Sequence, residues 1–184
     1  FEKNNQTWQN YVNSKRIEIT CGEAPYIVSR YDASTGEIID IENRIGILDR
    51  KLRVINENTE TEKEWLEWAK KAFQSVYGYE FQGDNLLIAR VNLLITFVDY
   101  YKQRYEKSPS KKNISEIADI ISWNIWQMDG ITGTVPFSKP KRNQMELFDY
   151  VMDEGEEENF EVECKVKDWR DNSLTTYIQI REGK

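Results

Sequence analysis

Histidine is absent from the sequence. That removes the Ser-His-Asp triad, the Cys-His pair and every histidine-bearing zinc site from the available chemistry. Cysteine is scarce. Cys21 and Cys164 are the two thiols, too few for a cysteine-rich zinc site. A disulfide between them stays open, and a reduced, cytoplasmic setting is the expectation. The four prolines, Pro25, Pro109, Pro136 and Pro140, never adjoin. No apolar run reaches the roughly 20 residues that span a bilayer, and no signal-peptide pattern or internal repeat stands out. Positive charge is also short: 25 Lys and Arg against 32 Asp and Glu give a net charge of −7. A DNA-gripping protein usually carries a basic stripe. The compact basic cluster here is Lys139-Pro140-Lys141-Arg142, followed by an acidic run from Asp153 to Glu158. Both read as solvated loops, so little nucleic-acid binding is expected of this chain.

What is present is a core. Six Trp, 10 Tyr and 7 Phe, with a hydrophobic fraction of 39%, place the 184 residues among folded chains rather than disordered ones. The length suits about one domain. The sequence begins at Phe1 rather than a methionine, and a fragment or processed piece is expected. Residues 1–15 read as a polar lead-in. Arg16 to Thr20 alternates as a short strand. Tyr26–Tyr31 and Glu37–Ile41 alternate on either side of Asp32-Ala33-Ser34-Thr35-Gly36, which is turn chemistry, so a hairpin is expected. Ile45, Leu48, Leu52 and Ile55 recur at helical spacing. Trp65, Ala69, Ala72, Phe73 and Val76 do the same, giving a second helix over 62–75. Val76 to Phe81 reads as a strand. Asp84 suits an N-cap for an apolar helix over 86–101, with Leu86, Leu93, Leu94, Phe97 and Val98 on one side, expected to be buried against a sheet. Ile114, Ile117, Ala118 and Ile121 mark another helix, and Asn124 to Asp129 a third strand. Thr132 to Pro140 reads as loop, Met145 to Met152 as a short helix, and Phe160–Trp169 and Thr175–Ile180 as late strands.

Strands separated by helices imply a mostly parallel sheet with helical crossovers. In such sheets ligands bind beyond the carboxyl ends of the strands. The three expected ends carry Thr20-Cys21-Gly22, Glu80 and Asp129-Gly130. A glycine turn lets a ligand approach the backbone. An acid at the second strand end can accept from two ribose hydroxyls, and one at the third from an adenine amino group. No glycine-rich phosphate loop is present. The set suits an adenosine-containing ligand with a non-phosphate tail. Each acid is also an ordinary strand-end residue, and Cys21 is an ordinary small buried thiol.

These residues resemble a known family. Ile17-Glu18-Ile19-Thr20-Cys21-Gly22, then Tyr77-Gly78-Tyr79-Glu80 followed by Asn85 to Leu94, then Asn124 to Gly130, look like the cofactor motifs of S-adenosylmethionine-dependent, adenine-specific DNA methyltransferases of bacterial restriction–modification systems, of the large multidomain type. The likeness spans residues 16–133, with a weaker echo over Cys164–Trp169. It implies an α/β fold: the first half of a Rossmann-like class I methyltransferase sheet, with a hairpin and helix inserted after the first strand. It implies S-adenosylmethionine as cofactor. Thr20, Cys21 and Gly22 are then in the loop facing the methionine moiety, Glu80 holds the ribose hydroxyls with Phe81 beside the adenine, Asp129 faces the adenine amino group, and Ile131 packs near its ring. Residues 134–184 become a loop, an acidic linker and late strands leading toward the catalytic motif. DNA is engaged through the full-length protein, and the rest of that polypeptide is the implied partner, with no membrane and no metal.

Three departures bear on mechanism. Ala24-Pro25 stands where the family loop has a second glycine, and proline removes a backbone donor. Glu80 follows Cys21 by far more than the roughly 20 residues of a tight βαβ fingerprint. The Asn/Asp-Pro-Pro-Tyr/Phe motif is absent, as no two prolines adjoin. In the family that motif holds the flipped-out adenine in line with the methyl group. The expectation is therefore a cofactor-binding segment inactive by itself. The alternatives are a non-catalytic interaction domain with a degenerate pocket, and a methyltransferase acting on RNA or protein. A Glu-x-Lys on the late strand (Glu163-Cys164-Lys165), with Glu161, Asp149 and Asp153 near it, is a weaker pointer to a magnesium-dependent nuclease.

Overall fold

A computed structural model describes residues 7–32, 34–138 and 162–183. The basic cluster, the acidic run, the helix expected over Met145–Met152, and Asp149, Asp153 and Glu161 lie outside them. The elements are α1 (Trp8–Asn13), β1 (Arg16–Glu18), α2 (Ile47–Asn58), α3 (Glu62–Gln74), β2 (Val76–Glu80), α4 (Gly83–Tyr105), α5 (Lys111–Asn124), β3 (Ile125–Gln127), β4 (Lys165–Asp168), β5 (Ser173–Thr176) and α6 (Tyr177–Glu182). The fold is α/β.

β1, β2 and β3 form a parallel sheet in that order, with Glu18 opposite Gly78 and Glu80 opposite Gln127. Parallel neighbours need long crossovers, and here helix pairs supply them: α2 and α3 between β1 and β2, α4 and α5 between β2 and β3. The strand-to-strand alternation of side chains divides the interior in two. Val76 and Ile125 face the helices, joining Leu48, Leu52, Ile55, Trp65, Phe73, Phe97 and Tyr100 in the larger core. Tyr77, Tyr79 and Trp126 face the other way, where Met128, Cys164 and Val166 close a second core with half-buried Trp169 and Tyr177. Every residue of β2 is therefore buried, as expected for the central strand of a covered parallel sheet.

Local chemistry sets the helix ends. Thr61 Oγ1 accepts the Glu64 N–H and Ser110 Oγ the Asn113 N–H, each an N-cap. Thr176 and Gln179 form a reciprocal capping box that starts α6.

Several expectations are corrected. The lead-in contains α1, capped by Thr7. The expected hairpin after β1 reduces to one antiparallel bridge, Tyr31 to Ile38, flanked by bonds from the Asp32 N–H to the Glu37 carbonyl and from the Ile39 N–H to the Arg30 carbonyl. The Asp32 carboxylate closes its turn by accepting from Ser34 and Thr35 N–H groups. Ile45 lies outside α2 and is exposed. Asp84 is inside the first turn of α4, whose N-cap is Gln82. The stretch 175–180 is mostly helix rather than strand, since the capping box begins α6 at Tyr177. α4 buries only part of its apolar surface: Leu87, Ile88, Val91 and Ile95 stay exposed.

Candidate functional site

The carboxyl ends of β1, β2 and β3 lie on one edge of the sheet, because all three strands run the same way. Thr20, Cys21, Gly22, Glu80, Phe81, Asp129 and Ile131 all belong to that edge or the turns just beyond it.

The turn after β1 is the most constrained segment. Thr20, Gly22 and Ala24 have φ of 55°, 54° and 64°. The left-handed region suits Gly22 but costs a residue with a Cβ about 1–2 kcal/mol. Ala24 adopts it where a glycine was expected, and is fully buried. Its N–H donates to the Cys21 carbonyl at 2.7 Å, and its carbonyl accepts from Ile27 and Val28. The Ala24-Pro25 pair thus keeps a glycine-type geometry without a second glycine. The Cys21 N–H continues the sheet pattern to the Tyr79 carbonyl at 2.8 Å.

The Cys21 thiol points into the core rather than the open edge. A Cβ on Gly78 would sit 3.2 Å from Cys21 Sγ, so Gly78 provides the room that the thiol fills. Burial, then the nearby Glu18 and Glu80 carboxylates, push this thiol up to about 12. A thiol held protonated is a poor nucleophile. Cys164 is likewise buried, raised to about 11 by desolvation, and both cysteines are free.

Glu80 ties β1 to β2. Its Oε2 accepts the Gly22 N–H at 2.9 Å and its Oε1 the Gln82 N–H at 3.2 Å. The residue is 4% exposed. Each carboxylate oxygen has two lone pairs, so one acceptor position per oxygen remains. Phe81 follows on the surface, edge-on to Phe137 with ring centroids 5.2 Å apart. The Gln127 amide donates to the Phe81 carbonyl at 2.9 Å and fixes that corner.

Asp129 is half-buried. Its Oδ1 accepts the Ile131 and Thr132 N–H groups at 2.8 and 3.3 Å, which leaves Oδ2 for a further donor. Ile131 is 86% exposed, so no described residue gives its side chain a wall to pack on.

A cleft of about 360 Å³ opens beside the turn. Glu18, Thr20, Cys21, Gly22, Glu23, Pro25, Tyr26, Tyr31 and Asn85 line it. Glu80, Phe81, Asp129 and Ile131 do not. Sequence reading named the turn but missed Glu18, Tyr31 and Asn85. Glu18 was legible as an acid at the end of β1; the other two reach the cleft only through tertiary packing. Tyr31 OH donates to the Glu23 carboxylate, and Asn92 Nδ2 donates to the Glu23 carbonyl and to Tyr31 Oη at 3.1 and 3.3 Å. Arg30 and Arg44 both donate to Asp99 Oδ2, at 2.6 and 3.0 Å. These contacts fasten the segment between β1 and α2 onto α4.

Glu18 is the group with unspent capacity. Its Oε2 is buried and has no hydrogen-bond partner among the described residues. Burial raises its pKa to about 7, a backbone hydrogen bond from Ile27 opposing. The cleft lining holds two carboxylates and no cation, which disfavours an anionic ligand and suits a neutral or cationic one.

Among the described residues, no group of three or more His, Cys, Asp and Glu is placed to hold a metal ion. No described helix is long and apolar enough to cross a membrane. No protein-family model, no curated protein and no solved structure matches this chain.

Proposed function

We propose that this chain is the S-adenosylmethionine-binding segment of an adenine-specific DNA methyltransferase, with a Rossmann-like class I sheet of which it forms the first half. The observation that carries this reading is the bond from the Gly22 N–H to the Glu80 carboxylate, which unites the turn after β1 with the acid ending β2. A ligand whose tail lies over that turn then has its ribose against Glu80 and its base toward Asp129. Neighbouring strands are spaced about 4.8 Å apart, so the run from the turn to Asp129 is about 10 Å, the scale of a nucleoside. The sulfonium and ammonium of the methyl donor suit the acid-lined cleft, with Glu18 facing the cationic end.

The chain's own residues bind and orient; they do not complete the transfer. No Asn/Asp-Pro-Pro-Tyr/Phe motif occurs in the sequence, so the group that aligns an adenine amino nitrogen with the methyl carbon is not supplied. Binding here pre-positions the donor, a contribution to catalysis by orientation.

A second reading is a non-catalytic interaction domain. It is favoured by the burial of Glu80, whose two oxygens already accept backbone N–H groups. Calorimetric titration with S-adenosylmethionine and with S-adenosylhomocysteine separates the two. The methyltransferase reading expects binding of both that weakens at least tenfold in Asp129→Asn and in Glu80→Gln, with circular dichroism unchanged. No heat of binding from a folded wild-type chain would remove it in favour of the interaction domain.

A further inference from the structure

α4 is 23 residues long and carries apolar side chains nearly all round, which is unusual for a helix at a protein surface. One side packs on the sheet and core through Leu86, Ala89, Leu93, Thr96, Phe97 and Tyr100. A second side meets α5, where Arg90 donates to the Ile125 and Ser122 carbonyls. A third holds the segment after β1, through Asn92 and Asp99. The remaining side faces solvent. It carries Leu87, Ile88, Val91 and Ile95, exposed by 63%, 39%, 44% and 39%, with half-buried Val98 continuing the line.

The spacing along this face is regular. Asp84, Ile88, Val91, Ile95, Val98 and Lys102 follow one another at intervals of four, three, four, three and four. That is the a/d seam of a coiled coil: four apolar layers, closed by an acid at the N-terminal end and a base at the C-terminal end. Asp84 and Lys102 are exposed, and neither has an ion-pair partner among the described residues.

The pattern is its own complement when reversed. An antiparallel copy puts Val91 opposite Ile95, Ile88 opposite Val98 and Asp84 opposite Lys102, each twice about a two-fold axis. Every a position then meets a d position. A parallel copy would instead set acid against acid and base against base. We infer that this face of α4 is an isologous, antiparallel dimer interface between two copies of the chain. The occupant follows from the charge arrangement: a partner of another sequence has no need of an acid and a base at equal distances from the centre of the stripe. The seam is about 27 Å long, and α4 is held by the fold, so association orders no new helix. The contact is small and apolar, and belongs with weak, concentration-dependent interfaces. The inference is independent of the proposed cofactor.

The test is sedimentation velocity on the whole chain over a concentration series reaching about 1 mM. A monomer–dimer equilibrium is expected. Val91→Glu, at an exposed position, should abolish it while leaving the circular dichroism spectrum unchanged. Asp84→Lys and Lys102→Asp should each weaken association about tenfold, and the double exchange should restore it. Restoration cannot come from helix stability, because both exchanges oppose the helix dipole. A chain that stays monomeric throughout, a dimer indifferent to Val91→Glu, or a double exchange no tighter than the single ones would each overturn the proposal.

Discussion

The Gly22 N–H donates to Glu80 Oε2 at 2.9 Å, across 58 positions of sequence. It joins the ends of two adjacent parallel strands with one charged acceptor. A carboxylate bonded to backbone N–H groups is a strong acceptor, so this contact holds the turn.

Replacing Glu80 by alanine leaves the Gly22 and Gln82 N–H groups without their acceptors. The expected cost is about 2–3 kcal/mol, the usual range for a partly buried donor left unmade. Glu80→Gln keeps one acceptor oxygen and should lose about half as much. Urea unfolding of the three proteins reads the difference; a Glu80→Gln variant as stable as the wild type, with the whole loss in Glu80→Ala, would show that the bonds contribute nothing beyond side-chain volume.

The left-handed turn stores strain at Thr20, a β-branched residue with φ of 55°. Thr20 is exposed, so Thr20→Gly removes the strain without opening a cavity. Glycine costs about 0.5–1 kcal/mol in chain entropy against about 1–2 kcal/mol released. A net gain of about 0.5–1 kcal/mol follows, a rise in melting temperature of about 2 °C. Ala24→Gly differs, because it also removes a fully buried methyl worth about 0.8 kcal/mol, and its net effect should be near zero. Differential scanning calorimetry distinguishes the pair.

Glu18 predicts a pH dependence. Its pKa is raised by burial to about 7 from the usual 4.5, so the folded chain holds the proton more tightly than the unfolded one. The stability it contributes is fully present below pH 4.5 and is lost as pH rises through about 7. Glu18→Gln removes this titration. The variant should gain on the wild type by about 1–2 kcal/mol between pH 4.5 and 8, discounted for partial solvation from about 1.4 kcal/mol per pKa unit. A difference that stays flat with pH would refute the assignment.

Lys51 predicts the opposite slope. It is buried, and its Nζ donates to the Val12 and Ser14 carbonyls and to Ser75 Oγ, at 2.9, 2.6 and 2.6 Å. Burial, then the Arg16 charge, lowers its pKa from 10.5 to about 7. Between those values the unfolded chain binds the extra proton, so stability rises with pH across the window and falls as pH drops toward 7. Relative to Lys51→Met, the wild type should gain about 2 kcal/mol from pH 7 to pH 10. Paired denaturation curves at three pH values would show it, and a falling difference would sink the idea.

The four central helices and the three parallel strands were largely legible from periodicity, because burial of one face writes a period of 3.6 or 2 into the sequence. β2 ends at Glu80 and β3 begins at Ile125, within two residues of expectation. The stretch at 175–180 was not legible. Ile178 and Ile180 are spaced as on one face of a strand, and a capping box decides for helix instead. The expected hairpin was legible in part: its Asp32 turn forms as the residue types suggest, but among the described residues only one bridge, Tyr31 to Ile38, pairs its arms.

The residues of the candidate site divide in the same way. Gly22, Glu80 and Asp129 were visible because acids and glycines at strand ends are local features. That the Cys21 thiol turns inward over Gly78 was not, since a sequence does not say which side of a turn is core. Nor did it show that Tyr31 and Asn85 share a cleft with Glu18, a matter of how the segment after β1 lies on α4. By itself the sequence determined which catalytic and metal chemistries were open and where the strand-end acids stand, because those follow from residue type and short-range period. Only the tertiary structure decided which acid holds the turn, which acid keeps a free oxygen and which face of α4 stays bare. Those depend on contacts between segments far apart in the chain, whose geometry no local pattern encodes.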